Sequence, residues 1–281
     1  MSKSRSSHKV RKLVCCVLSF VLCIVLFILS VGVVFEATLF NSEFILENMN
    51  SSNYFVDKKD EITRDLNDLG YASGLSDEFF EDLLSEIMLA EDSEKYLHDY
   101  YDGKGAIIDT SSFEQTFNAA LDKYIKDNNI KKVDSESRAY LLKKASAIYQ
   151  LSLEIPLFYR LAAYFKAAKS ILPFVIAGLV VLCVVIIIII VFANSWKHRI
   201  FKYLSYASLG ACLSLTVIPA YVLLTGQLQR INMTSRSLYN LFVQCGTNLM
   251  IVMLFCALFF LAMGLCCVFQ HNRMRKRVSS D

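Results

Sequence analysis

Hydrophobic and polar positions divide the chain into one apolar run, one long polar stretch and a block of three further apolar runs. Leu13 to Phe35 carries no charge apart from its flanks. At about 1.5 Å per residue it is long enough to cross a hydrocarbon core about 30 Å thick. Ile171 to Ala193, Ile200 to Leu224 and Leu238 to Phe269 read as three more spans, with Pro173 expected in the first turn of the second. The pattern predicts an all-α integral membrane protein. Its four transmembrane helices are arranged 1+3, and a helical bundle over residues 36–170 lies between the first and second.

A cleaved signal peptide also begins with basic residues before an apolar run. Its apolar core is about 7–15 residues long and ends in small residues. The first run here is longer, and Val34-Phe35-Glu36-Ala37 is a poor cleavage site, so it is read as an uncleaved anchor.

Within the polar stretch the periodicity is helical. Tyr54, Phe55, Ile62, Leu66 and Leu69 fit a helix that Gly70 would end. Ser76-Asp77-Glu78 reads as a helix start, with Phe79, Phe80, Leu83, Leu84, Ile87 and Met88 forming one stripe behind it. A further helix around Ala90–Asp102 stops at Gly103, and Ser111 with Glu114 fits a capping box. From about Asp134, Tyr140 to Ile155 form a broad apolar face that meets Pro156. Two readings stand there. Pro156 is either the hinge of a helix that runs kinked into the second span, or the boundary between two helices.

Charge is distributed as unevenly as hydropathy. Of the 26 acidic residues, 25 lie between Glu36 and Lys169 against 15 bases there, a net of −10. The remainder holds 14 bases and one acid, a net of +13. Lys and Arg are retained on the cytoplasmic side of a membrane. The basic N-terminus (1–12), the Lys197–Lys202 turn and the basic tail (270–281) therefore place both termini in the cytoplasm and export the acidic domain across the plasma membrane.

Candidate chemistry is sparse. The polar stretch has one histidine, His98, and no cysteine, so neither a His/Cys zinc site nor a Cys nucleophile is expected there. The acids around Gly103-Lys104-Gly105 lack EF-hand spacing. No ionisable residue interrupts the interior of a span, which argues against a coupled pump or an intramembrane protease. Cys15, Cys16, Cys266 and Cys267 sit near the basic flanks, where acylation in a eukaryotic host or simple apolar filling are the alternatives. Asn240, Gln244 and Asn248 recur every four residues on the fourth span, a polar stripe running from its outer boundary towards mid-bilayer. Buried amides require partners. The stripe either lines a wet cavity or fixes helix packing, with Ser205, Ser208, Ser214 and Thr216 of the third span as possible partners.

The segment Ala37-Thr38-Leu39-Phe40-Asn41-Ser42-Glu43-Phe44, set behind a short basic N-terminus and one span, resembles a loose group of uncharacterised bacterial four-span membrane proteins. These have an exported helical domain between the first and second spans. The resemblance implies a bacterial plasma membrane and carries over no activity or site. The domain is also similar in layout to the ligand-binding bundles of bacterial chemoreceptors, although the cytoplasmic signalling helices of those receptors are missing here. The expected function is non-enzymatic: the exported domain binds a protein, peptide or envelope partner, with no cofactor, no metal and no nucleic acid. The alternative is a small channel or transporter subunit that uses the polar face of the fourth span. The lipid bilayer is the one partner that composition implies directly, and the sequence leaves the oligomeric state open.

Overall fold

A computed structural model describes residues 2–105, 107–130, 134–155, 158–194 and 197–278. Ten α-helices follow in order: α1 Ser2–Ala37, α2 Ser42–Ser51, α3 Tyr54–Ser73, α4 Asp77–Glu81, α5 Glu86–Tyr101, α6 Ser111–Asp127, α7 Ser135–Leu153, α8 Phe158–Ala193, α9 Lys197–Thr225 and α10 Arg236–Val278. A 3₁₀ turn at Leu228–Arg230 precedes α10. No strand occurs among the described residues. Among the described residues, four stretches are long and apolar enough to cross a membrane: Arg11–Ala37, Tyr164–Ala193, His198–Thr225 and Arg236–Lys276. The chain is thus an all-helical protein of multi-pass character.

Its contacts form two compact units, one of residues 1–40, 169–230 and 246–281, the other of 41–168 and 231–245. In the first, α1 meets α9 closely. Ser19 Oγ donates to the Tyr203 carbonyl at 2.7 Å, and a Cβ on Gly210 would lie 2.7 Å from Cys23 Sγ. Glycine is what allows the two backbones to approach, as small residues do wherever membrane helices pack tightly. Val34, Ala211, Leu215, Met253 and Phe260 form a buried cluster further along. Ser205 and Thr216 donate to the carbonyls of Lys202 and Cys212 on their own helix. Pro173 lies well inside α8 and not in its first turn, because the helix already begins at Phe158.

The second unit is a helical bundle around an aromatic core. Phe79, Phe117 and Tyr124 meet edge to face, and Phe113 stacks on Tyr149 with ring centroids 4.5 Å apart. Several helix ends differ from their predicted places. Gly70 does not stop α3. Gly74 does, at φ +74°, with its N–H on the Gly70 carbonyl. Gly70 instead serves packing, since a Cβ there would meet the buried Phe80 ring at 2.2 Å. The single stripe expected behind Ser76 is split in two. α4 ends at Glu81, and Ser85 caps α5 by accepting the Met88 N–H at 3.1 Å. The intervening turn allows the adjacent Leu83 and Leu84 both to be buried, which one helix face would not favour. At α6 the cap is Thr110 and not Ser111. The Thr110 hydroxyl donates to Glu114, and Asp109 accepts from the Ser111 N–H. Asp134, near the expected start of α7, caps it by accepting from the Ser137 N–H at 3.1 Å. α7 ends at Leu153 with Glu154 extended (φ −62°, ψ 125°), and α8 begins at Phe158, so of the two readings the described residues fit separate helices. Pro156 itself lies outside the described residues.

Candidate functional site

Two features of the bundle unit stand out: a clasp on the first turn of α10 and an open groove. The clasp starts from spacing. Asp57 and Glu61, four residues apart on α3, share one helix face. Ser235 immediately precedes α10, and its Oγ accepts the Leu238 N–H at 3.3 Å, which is an N-cap contact. Glu61 then covers the same helix end from outside. Its carboxylate accepts the Ser237 N–H at 3.0 Å, the Ser237 hydroxyl at 2.9 Å and the Ser235 hydroxyl at 2.9 Å. Lys58 Nζ, on a side chain only 4% exposed, lies 2.8 Å from the same carboxylate and 5.6 Å from the Tyr54 ring centroid. Beside it, Asp57 accepts from Asn240 Nδ2 at 2.7 Å and pairs with Arg236 at 3.2 Å.

Burial opposes a charge on Glu61. The Lys58 ammonium and the N–H and hydroxyl of Ser237 outweigh it and hold the carboxyl at about 2. A carboxylate so weakly basic is a poor general base near neutral pH. The two serine hydroxyls that it receives are therefore held and not activated. The chemistry of this cluster is structural: negative charge on the positive end of a helix dipole.

The groove lies between the end of α3, α6 and α7, with a volume of about 930 Å³. Leu69, Leu75, Leu121, Ile125 and Leu141 supply apolar surface, and Tyr140 stands 62% exposed at its edge. Asp134, Glu136 and Arg138 make the polar rim. Arg138 is already engaged, with Asp122 at 2.6 Å and Asn118 at 2.9 Å. Hydrogen bonds from Ser137 hold the Asp134 carboxyl below its usual range. Among the described residues neither Asp134 nor Glu136 has a basic ion-pair partner.

The sequence-predicted residues fall as follows. Asn240 belongs to the bundle unit and is committed to Asp57. Gln244, in the same unit, is half-buried, and so is Asn248, in the other. Leu238, Leu241 and Cys245 pack into the bundle core, so the start of α10 serves that core. Pro156 lies outside the described residues. His98 is partly exposed, with Ser42 Oγ 3.4 Å from Nδ1 and Glu43 3.6 Å from Nε2. Among the described residues no three His, Cys, Asp or Glu side chains converge as a metal site. Sequence reasoning missed Glu61, Lys58, Ser235 and Ser237. The cap at Ser235 was legible from its place before an apolar run; its partner 174 residues away was not.

No protein-family model matches the chain, and neither a curated protein nor a solved structure aligns with it. The resemblance to bacterial four-span proteins therefore rests on sequence layout alone.

Proposed function

We propose that the chain is a non-enzymatic multi-pass protein of a bacterial plasma membrane whose bundle unit, exported between the first and second spans, binds a partner in the groove of α3, α6 and α7. Both termini lie in the cytoplasm, on the strength of the basic residues flanking the spans. The observation that carries the reading is the groove: about 930 Å³ with an apolar lining and the exposed ring of Tyr140. Concave apolar surface with a few polar groups at the edge is how proteins bind ligands. The acidic rim favours a peptide or envelope component that presents apolar groups beside a positive one.

The experiment is photocrosslinking of the full-length protein in its own cells. A photoreactive residue at Tyr140 is compared with one at Ile107, which is also exposed but outside the groove. A discrete adduct at position 140 that is missing at 107 supports the reading. Absence of any adduct at 140 sinks it.

A further inference from the structure

The basic ends of three helices in the membrane-type unit converge on one small concavity. Lys12 of α1, His198, Arg199 and Lys202 of α9, and His271 and Arg275 of α10 line a volume of about 260 Å³. His271 Nδ1 lies 2.5 Å from the His198 carbonyl. Since a carbonyl only accepts, Nδ1 carries the proton, and this bond ties α10 to the start of α9. The Lys202 ammonium rests 5.6 Å from the Tyr206 ring centroid. The lining is therefore assembled from three helices and partly fixed in place.

Its charge is of one sign. The unit contains only two acids, Glu36 and Asp281. Glu36 lies near the far end of α1 from Lys12, about 36 Å along the helix at 1.5 Å per residue. Asp281 is outside the described residues. Lys12, Arg199, Lys202 and Arg275 have no carboxylate partner among the described residues. Four cations around one hollow repel one another, and no carboxylate among the described residues neutralises them. An anion from another molecule would relieve that repulsion.

We propose that this concavity is a binding site for a phosphate-bearing anion. Two guanidinium groups offer paired donors that match phosphate oxygens, and the two lysines add point charges. The position fits a membrane–water boundary: Lys12 directly precedes the first apolar run, Arg199 lies in the first turn of α9, and Arg275 follows the last apolar run. Basic hollows between membrane helices take anionic lipid headgroups. Free phosphate presents the same chemistry, and the experiment separates the two.

Full-length protein is reconstituted in phosphatidylcholine nanodiscs with and without phosphatidylglycerol, then released into detergent for native mass spectrometry of retained lipid. The pocket variant R199Q/R275Q is compared with R273Q/K276Q, which removes the same charge from exposed positions outside the lining. Wild type and R273Q/K276Q should retain phosphatidylglycerol, and R199Q/R275Q should lose it about tenfold. The single variant K202Q, at an exposed position, should lose it about threefold and guards against misfolding of the double variant. In lipid-free detergent, a thermal shift with inorganic phosphate alone assigns the free ion; a shift with phosphatidylglycerol alone assigns the headgroup. Retention by R199Q/R275Q and K202Q at the wild-type level overturns the proposal. Equal loss in R273Q/K276Q also overturns it, because the attraction would then belong to the basic surface at large.

Discussion

The carboxylate of Glu61 accepts the backbone N–H of Ser237 at 3.0 Å, across 176 residues of sequence, and so caps the first turn of α10 from another helix. Removing that carboxylate leaves Lys58, 3% exposed, without its partner. Glu61→Gln should lower stability by about 2 kcal/mol, since hydrogen bonds to charged groups contribute about 1.5–3 kcal/mol. Ser237→Ala should cost less, because the backbone N–H remains. A double-mutant cycle on thermal unfolding should give coupling between the two positions, and strict additivity would contradict the clasp.

Glu61 also sets a pH dependence. Its folded-state carboxyl, held at about 2, lies below the ordinary value of 4.5. The stabilisation is fully present above the ordinary value and is lost as pH falls from about 4.5 towards about 2. Wild type should therefore lose stability through that window, and Glu61→Gln should show a shallower slope. Parallel slopes in an acid titration of the melting temperature would assign the loss to other carboxylates, such as Asp109, which is lowered by Lys95 and Ser111.

What was legible in the sequence follows from which forces act locally. Four apolar runs are readable because a membrane demands about 20 apolar residues in succession. Asp134 caps the start of α7, and Gly103 follows the end of α5, where the side chain, or lack of one, dictates. What was not legible is which partner a given side chain meets. Leu238, Leu241 and Cys245 look the same whether they face lipid or a protein core, and they pack against the bundle core. Asn240 donates to Asp57 there. Ser85 was hidden for a related reason. The stripe from Phe79 to Met88 continues at helical spacing through a turn that a second cap interrupts.

Gly70 decides a sign. In a helix interior, Gly→Ala ordinarily stabilises by about 1 kcal/mol. Here the added Cβ would stand 2.2 Å from Phe80 Cε2, on a stiff and fully buried ring. Overpacking of this kind costs about 1–3 kcal/mol. Gly70→Ala should destabilise the bundle, and Phe80→Leu in the same chain should recover part of the loss. A raised melting temperature for Gly70→Ala alone would show that the ring yields.

Tyr149 and Asp92 test the aromatic core. The Tyr149 hydroxyl donates to Asp92 Oδ2 at 2.5 Å, and Ser112 approaches the other oxygen at 3.4 Å. Tyr149→Phe keeps the stack on Phe113 but strips a nearly buried carboxylate of its shorter contact. A loss of about 1–3 kcal/mol is expected. Asp92→Asn, which keeps an acceptor, should cost less. Identical unfolding of Tyr149→Phe and wild type would mean that Asp92 is served by solvent.

Asn240 separates a packing role from a conducting one. If its amide lined a water path, Asn240→Leu would change permeation and leave stability alone, because a solvated amide loses little when removed. Bound to Asp57 at 2.7 Å, on a carboxylate side chain 13% exposed, it should do the reverse. Asp57 would retain Arg236, an 80% exposed side chain whose ion pair is weakened by solvent. Asn240→Leu should therefore lower the melting temperature, by an amount corresponding to about 1.5–3 kcal/mol. Asp57→Asn should lower it too, and Asn240→Leu in that background should add little further. Flux through liposomes that carry Asn240→Leu should equal the wild-type background. Altered flux with an unchanged melting temperature would move this residue from the bundle core to a pore.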